Sequence, residues 1–438
     1  MLSLIGLIAA ITLLIYFSLR GVSLFLTTPL CAIIIATTGN ITLISADGSE
    51  DLVKAYTAGF STFFRNWFFM FLLGSLFGKL MEASGAAHSL SHWIVSKFGH
   101  KYTVFSVVAI CAVLTYGGVS VFIVAFSVYP LAASLFRDAK IPHRFIPATL
   151  AFGSVTFTMT SAGSPEIQNW IPIKYLGTSP YAAWEVSLIV AIFMAIIGFI
   201  WLQYMINKAR LNDEDLGSVL EEKNLYSQQD PEQLPHPLIG FIPLVIVLLT
   251  AILTHTALRE NALSVALFAG CATLGITSFK RIKNTSSILD QSAYGALMAI
   301  GNTSAVVGFG AVAMLSPAFE GIVAILTNME GNQLIGAALA ITTVAGITGS
   351  ASGGQTIALP ELAPHYLEAG TNPEHLHRIT AISSGMLDSL PHSGYVVTTI
   401  REICKETHKS AYLPLGAVTA IVPMLGLCLA IALIQMGL

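Results

Sequence analysis

Long apolar runs that carry almost no charge constrain this chain more than any other feature of its sequence. Only 10% of its 438 residues are Asp, Glu, Lys or Arg, and 54% are apolar, whereas about a quarter of a soluble domain is charged. So few charges cannot cover a soluble globule of this length, and lipid must therefore surround much of the chain. Because a helix satisfies its own backbone hydrogen bonds inside a bilayer, we predict an all-α membrane protein.

Composition also excludes several partners. The net charge is −3 and the basic residues are scattered singly or in small clusters, so we expect no nucleic acid to bind. The five cysteines mostly lie in apolar runs without paired spacing, which favours packing over a disulfide or a metal site. We expect no metal and no cofactor. The first apolar run has no basic residue before it and Arg20 after it, which predicts a retained helix rather than a cleaved signal peptide.

Ten apolar runs approach the length of about 20 residues that a spanning helix needs. They are 2–18, 22–38, 58–82, 144–174, 182–206, 238–256, 262–279, 287–310, 378–402 and 411–436. Two further runs, 102–136 and 333–366, each contain a Gly-Gly pair. Each is too short for two full spans and long for one, so we predict two re-entrant hairpins.

The distribution of basic residues supports this arrangement. If both Gly-Gly segments enter and leave the membrane on one side, most of the 21 Lys and Arg residues share a single side. These are Arg20, Lys97, Lys101, Arg137, Lys140, Arg144, Lys208, Arg210, Lys280, Arg281, Lys283, Arg401, Lys405 and Lys409. By the positive-inside rule that side is cytoplasmic. The sequence therefore predicts a multi-pass protein of a bacterial-type cytoplasmic (inner) membrane, with both termini outside.

The order of these features repeats on the two sides of a polar stretch, 207–236, which we interpret as a cytoplasmic linker. Residues 1–206 and 237–438 each contain five predicted spans and one hairpin. An odd number of spans inverts the second half relative to the first. Inverted repeats with broken helices are typical of secondary transporters. Re-entrant loops also occur in channels, so a channel stays an alternative.

Four polar breaks interrupt the apolar runs at equivalent positions in the two halves. They are 115–120 (TYGGVS), 160–165 (TSAGSP), 349–355 (GSASGGQ) and 388–394 (DSLPHSG). A break exposes backbone N–H and C=O groups inside the bilayer, which is costly unless they line a polar cavity or meet a ligand. We therefore expect the four breaks to meet at one site.

The residue types in and near these breaks suit a carboxylate. Glycine lets a backbone approach a ligand closely, hydroxyl groups donate hydrogen bonds, and the free N–H groups of the next half-helix favour an anion. No arginine lies within the breaks, which favours a hydroxylated monocarboxylate over a dicarboxylate or a phosphate. The predicted substrate-binding residues are Gly117, Gly118, Ser120, Ser161, Gly163, Ser164, Asn169, Ser352, Gly353, Gly354, Gln355, Ser389, His392 and Ser393. The alternative is that these small residues only let helices pack closely.

Ionisable side chains near the breaks are candidates for proton coupling, because a charge at membrane depth is costly and usually functional. The predicted proton-coupling residues are Asp388, His392 and Glu166. Asp388 and His392 lie about one helical turn apart and could exchange a proton. Alternatively, Asp388 only caps the half-helix that follows Pro391. We interpret His143 and His377, each beside an arginine, as loop or interface residues.

Three stretches resemble the gluconate/proton symporter family of permeases: TYGGVSVFIVAFSVYPLA, TSAGSPEIQNWIP and MLDSLPHSGYVVTTIREICKETHKSAY. The resemblance runs along nearly the whole chain and implies proton-coupled uptake of gluconate or a related hydroxy acid. It also implies a homodimer with elevator-type motion, in which a transport domain of hairpins and broken helices moves against a scaffold of the remaining spans. Ser393 stands where gluconate-type members would carry Asn after Pro-His, and the family includes carriers of other small organic acids. The exact substrate therefore stays open.

Two other functions compete with this interpretation. A sodium-coupled carboxylate carrier or a sodium/proton antiporter is possible in principle, because unwound carbonyls can also hold sodium. A membrane-embedded enzyme is disfavoured, since the sequence has no His-Glu-x-x-His, Gly-x-Ser-x-Gly or Gly-x-x-x-x-Gly-Lys motif. The lack of the last motif also argues against an ATP-driven pump.

Overall fold

The computed structural model describes residues 1–20, 22–46, 49–98, 102–212, 234–258, 261–282, 284–327 and 332–438. Every regular element in these ranges is a helix, which confirms the predicted all-α class. Most of the predicted linker 207–236 lies outside the described residues.

The helices follow the same order in the two halves of the chain. In the first half they are α1 (Leu2–Leu19), α2 (Leu24–Thr38), α3 (Leu52–Ala83), α4 (Ala86–Phe98), α5 (Thr103–Tyr116), α6 (Val121–Asp138), α7 (Ile146–Ala151), α8 (Ile171–Leu176) and α9 (Trp184–Leu211). In the second half they are α10 (Leu238–Leu258), α11 (Ala262–Thr277), α12 (Thr285–Met314), α13 (Pro317–Thr327), α14 (Gln333–Thr348), α15 (Ala351–Glu368), α16 (Pro373–Leu387), α17 (Gly394–Val397), α18 (His408–Gly416) and α19 (Val422–Gln435). Each half thus has three helices, a short helix, a helical hairpin, a broken helix and a final long helical stretch.

A glycine with a left-handed backbone turns the chain at the tip of each hairpin. Gly118 adopts φ +95° between α5 and α6, and Gly349 adopts φ +59° between α14 and α15. L side chains rarely adopt such values, so both turns favour glycine. The second turn falls at Gly349, whereas Gly353 and Gly354 lie inside α15.

The fourth and ninth predicted spans each form a helix that stops and restarts. α7 passes into a π-helical turn (Phe152–Thr156) and then ends, while α17 continues into a π-helical turn (Thr398–Ile403). Pro165 and Pro391 lie in the two interruptions. Because proline lacks a backbone donor and clashes with the preceding turn, a regular helix does not continue through either position.

The helices pack most extensively within two groups. The first group contains α1–α3 and α10–α12, and in it α3 lies along α12. The second contains the two hairpins, the two broken helices, α9 and α19. α9 and α19 belong to the second group because Val190 of α9 and Leu427 of α19 are buried in one apolar cluster with Ile382 of α16. The sequence placed these two long spans in the scaffold, and which of the helices move stays a prediction.

Three of the described helical stretches are long and apolar enough to cross a membrane on their own. They are Trp184–Leu211, Thr285–Met314 and the nearly continuous stretch His408–Gln435. Other apolar helices in the described ranges contribute shorter stretches of 10–17 residues, such as Leu2–Ser18 and Leu238–Thr254. The figure of ten spans therefore stays a prediction.

Candidate transport site

A cavity of about 980 Å³ lies between the two groups of helices. Both hairpin tips contribute to its wall, through Gly118 with Ser120 and through 349–352. Both helix breaks contribute as well, through 165–168 and through Asp388 with the start of α17. The fold therefore brings the four polar breaks around one space.

The cavity is also lined by one half of each of two long helices. α3 contributes residues within 70–82, and α12 contributes residues within 290–306. At that end Tyr294 is 69% exposed, and Lys79 forms a half-exposed ion pair with Glu82 at 3.0 Å. The cavity therefore opens towards the end of the molecule where α3 finishes and α12 begins.

The opposite halves of α3 and α12 leave no room for a side chain at two glycines. A methyl group on Gly59 would lie 2.6 Å from Cβ of Ala311, and one on Gly308 would lie 2.8 Å from the carbonyl oxygen of Tyr56. Small residues allow two helix backbones to approach this closely. We call this contact the glycine seal, and it lies beyond the cavity-lining halves of both helices.

Two helices begin at the cavity wall. Ser350 caps α15 by accepting a hydrogen bond from the backbone N–H of Gly353 at 3.1 Å. Ser120 makes no such side-chain cap on α6. Instead, the carboxyl group of Glu166 lies close to the backbone N–H of Val121, the first residue of α6. An acidic side chain thus already lies where the positive end of the α6 dipole favours an anion.

Asp388 faces the cavity from the C-terminal end of α16. Its Oδ1 accepts a hydrogen bond from Ser389 Oγ at 2.9 Å. The residue that precedes α17 is Ser393, so Asp388 does not occupy the position that a cap of this half-helix would need. His392 is buried against Gly349 at the tip of the second hairpin. No ion pair among the described residues joins it to Asp388.

The predicted site residues divide into those at the cavity wall and those behind it. The wall includes Gly118, Ser120, Glu166, Ser352, Asp388 and Ser393. The residues outside the wall are Gly117, Ser161, Gly163, Ser164, Asn169, Gly353, Gly354, Gln355, Ser389 and His392.

Several of the residues behind the wall hold the breaks in shape. Asn169 Nδ2 donates a hydrogen bond to the carbonyl of Ser164 at 3.0 Å. Gln355 Nε2 donates to the carbonyl of Gln168, also at 3.0 Å, and so joins the second hairpin to the first break. A methyl group on Gly354 would meet the α14 backbone at 2.6 Å, so this glycine allows the two arms of the hairpin to pack together.

Several polar residues that line the cavity were not among the predicted site residues, and four of them lie close to the breaks or in an apolar run. They are Asn302 and Thr303 on α12, Ser350 at the second hairpin tip and Tyr395 on α17. Asn302 and Thr303 form a polar pair inside an otherwise apolar run, and this interruption of the run could have predicted both as site residues. Tyr395 packs edge-to-face on Phe122, with ring centroids 5.4 Å apart, and so connects the two half-helices that follow the breaks. An aromatic residue in an apolar run gives no comparable signal.

The all-helical fold, with apolar helices around a cavity of polar breaks, is that of a multi-pass membrane protein. Residues 2–363 match the family described as GntP family permease. The chain belongs to that family, whose members are transporters rather than enzymes, and this confirms the resemblance found in its sequence.

Two relatives extend this finding. An uncharacterized transporter of Bacillus subtilis strain 168, YxjC, is 32% identical over 460 aligned positions that cover 95% of this chain and 96% of the relative. The high-affinity gluconate transporter of Escherichia coli K12 is 34% identical over 103 positions, which cover 23% of each chain.

Proposed function

We propose that this protein is a secondary active transporter that takes up a small hydroxy monocarboxylate, such as gluconate, together with protons across the cytoplasmic membrane. One observation carries the proposal: both hairpin tips and both helix breaks surround a cavity that also contains the carboxyl groups of Glu166 and Asp388. The relative that is a gluconate transporter supports the class of substrate.

The start of α6 supports a carboxylate as the recognised group. Glu166 illustrates this, since its own carboxyl group lies close to the backbone N–H of Val121. Hydroxyl and amide groups on the same wall, from Ser120, Ser352 and Asn302, can bond to the hydroxyl groups of a sugar acid. The substrate would therefore bind with its carboxylate at α6 and its hydroxyl groups along the wall.

Competition at α6 supplies a mechanism of proton coupling. A substrate carboxylate and an ionised Glu166 require the same backbone donor, so protonation of Glu166 frees that donor for the substrate. Asp388 lies at the C-terminal end of α16, where a negative charge is disfavoured, and can carry a second proton. One proton with one monocarboxylate is electroneutral and gains about 1.36 kcal/mol per pH unit. A second proton adds about 2.3 kcal/mol per 100 mV of membrane potential.

In this proposal residues 1–206 and 237–438 form two inverted repeats. The shared order of elements supports it, and so does a reciprocal pair of contacts. His143, at the start of the first broken helix, lies 2.9 Å from the Glu406 carboxylate, which follows the second break. His377, in the second broken helix, lies 2.6 Å from the Thr178 hydroxyl, which follows the first break. Both histidines are buried and therefore join the two halves, rather than lying in exposed loops.

The two groups of helices support a division into moving and fixed parts. The hairpins, the broken helices, α9 and α19 would form the transport domain. Helices α1–α3 and α10–α12 would form the scaffold and supply a homodimer interface through outward apolar side chains such as Leu253 and Phe268. Lys280 and Arg281 precede α12 at the open end of the cavity, so the positive-inside rule makes this an inward-open state with both termini outside.

Uptake by purified protein in liposomes tests the proposal. In sodium-free buffer, an inward proton gradient should drive accumulation of labelled gluconate. In a separate experiment at equal pH on both sides, an inward sodium gradient should drive no accumulation. Accumulation driven only by sodium would favour the sodium-coupled alternative. Flux that never exceeds equilibrium under either gradient would favour a channel. No flux of gluconate or related hydroxy acids would contradict the proposed substrate class.

A further inference from the structure

Arg378 on α16 is completely buried. Its guanidinium donates to two backbone carbonyls, that of Thr160 through Nη1, and that of Ala182 through Nε and Nη2 at 3.2 and 3.0 Å. None of the ion pairs among the described residues includes Arg378. A buried cation is costly unless hydrogen bonds replace its water, so these two carbonyls are what allows the charge to be there.

Both carbonyls belong to unwound chain around the first break. Thr160 follows the π-helical turn that ends at Thr156, and Ala182 precedes the start of α9. The Thr160 carbonyl lies beyond the C-terminal end of a helical stretch, where it lacks an intrahelical donor and lies at the negative end of the helix dipole, whereas the Ala182 carbonyl belongs to the loop that precedes α9. In transporters, unwound carbonyls of this kind can hold a coupling cation. Here the guanidinium of Arg378 occupies them.

Other protein groups satisfy the neighbouring backbone of the break. The Tyr116 hydroxyl, from the tip of the first hairpin, donates to the Ala162 carbonyl at 2.6 Å. The backbone N–H of Ala162 donates to Ser187 Oγ on α9 at 2.8 Å. The first hairpin, α9 and α16 therefore converge on this short segment, and between them they bond to the backbone carbonyls of Thr160 and Ala162 and to the backbone N–H of Ala162.

We propose that Arg378 is a tethered cation, which holds the first break in shape and fills the place on the unwound carbonyls that a soluble coupling cation would need. Arg378 is thus a positioning residue, and its presence accounts for transport that does not depend on sodium. This inference rests on the proposed proton-coupled uptake and specifies why that uptake requires no second ion.

Arg144 provides a matched control within the same chain. It follows His143 at the start of the first broken helix, as Arg378 follows His377 in the second. It also bonds to a backbone carbonyl, that of Ser410 at 3.3 Å. It is only half-buried, however, so water can bond to the Ser410 carbonyl when the arginine side chain is removed.

Chemical rescue by guanidinium tests the inference. Arg378→Gly in sodium-free liposomes should lower proton-driven uptake about tenfold or more, since bonds to a charged group are strong. Millimolar guanidinium should restore part of that uptake by entering the vacated space. Arg144→Gly should keep most of its uptake and should not respond to guanidinium. The same millimolar guanidinium should raise the melting temperature of purified Arg378→Gly but not that of Arg144→Gly.

Several results would overturn the inference. They are a wild-type protein that requires sodium, an Arg378→Gly variant that transports like wild type, or a folded variant in which guanidinium restores neither uptake nor thermal stability. If Arg378→Gly does not fold, Arg378→Lys and Arg378→Gln replace it. Lysine keeps the cation and should transport better than glutamine, and equal transport would refute the role of the charge. If wild type moves no hydroxy acid, the proposed function fails, while the melting measurement still tests Arg378.

Discussion

At the scale of single residues, the glycine at the tip of the first hairpin is a tightly constrained position of the cavity wall. Gly118 adopts φ +95°, and an added methyl group would lie 2.8 Å from Val247 and 3.3 Å from Leu267. A left-handed backbone costs an L residue about 1–2 kcal/mol. We therefore expect Gly118→Ala to lower initial uptake about tenfold or more while reducing the amount of folded protein much less.

Gly370→Ala is the control for this substitution. Gly370 has a comparable φ of +83°, but an added methyl group there would have no neighbour within 4 Å. The backbone cost is therefore similar, whereas the cavity is untouched, and uptake should stay close to wild type. Equal losses of uptake in the two variants would mean that backbone strain alone, and not the cavity, explains the effect of Gly118→Ala.

Asp388→Asn tests the second proton carrier. Asparagine can still bond to Ser389, but it cannot carry a proton. The variant should lose accumulation of substrate against its gradient while keeping exchange of labelled for unlabelled substrate. Asp290→Asn, at the open end of the same cavity, should keep both activities. Accumulation that survives in Asp388→Asn would exclude Asp388 as the carrier and make Glu166 or His392 the next candidate.

At the scale of elements, apolar runs predicted the helices well because lipid and the fold both require an apolar surface. The run 58–82, for example, lies within α3, which begins earlier because Asp51 caps its first turn by accepting from the Lys54 N–H at 2.8 Å. The second hairpin turn was placed less well. Its Gly-Gly pair suggested the turn, but Gly349 makes it, since a turn depends on φ and a following cap rather than on glycine content.

The site was less predictable than the helices, for a physical reason. Sequence identifies which residues interrupt a helix, but not which way each side chain points once the chain is unwound. Glu166 therefore faces the cavity while Asn169, three residues later, is buried behind it. Arg378 lies outside every predicted break. Its hydrogen-bond partners are backbone carbonyls about 200 residues earlier in the chain, and a sequence pattern does not encode contacts between such distant residues.

The hairpins make a prediction about topology. Cysteines introduced at Tyr102 and Arg137, which flank the first hairpin and are exposed, should react only with reagent on the cytoplasmic side. Cysteines at Gln333 and Glu368, which flank the second hairpin, should react only from outside. Cys428 is the exposed native cysteine among the described residues and should be replaced first. Labelling of two flanking positions from opposite sides would show that the segment crosses the membrane.

The contact between His143 and Glu406 makes stability depend on pH. Burial alone would raise the pKa of Glu406, but hydrogen bonds from His143 and Ser410 outweigh burial and lower the pKa. A carboxyl group whose pKa is lowered on folding stabilises the fold at pH values above its pKa in the unfolded chain. This stabilisation is lost as the pH falls through the pKa of the folded state. Glu406→Gln should therefore lower the melting temperature at pH 7, and the difference from wild type should shrink as the pH falls below about 4.5. A constant difference would contradict an electrostatic role.

At the scale of the whole molecule, the two groups of helices predict which contacts must break during transport. A methyl group on Gly353 of α15 would lie 3.4 Å from Val307 of α12, so cysteines at these two positions should form a disulfide across the groups. That disulfide should stop uptake until it is reduced. Cysteines at Gly39 and Ser316, which follow α2 and α12 outside the cavity and are separated by a similar distance of 3.5 Å, should crosslink with little effect. Full uptake by the crosslinked Val307–Gly353 pair would exclude relative motion of the two groups.

The glycine seal has a consequence for the cell that contains this protein. A bacterial membrane stores work as a difference in proton potential, and any ion that passes without cargo dissipates that work. Backbone contact between α3 and α12 at Gly59 and Gly308 leaves no gap for water between the helices. A proton therefore has no chain of water molecules along which to cross between them. Two glycines outside the cavity would therefore help to keep ion flow coupled to substrate, because a larger residue at either position would push the two helices apart.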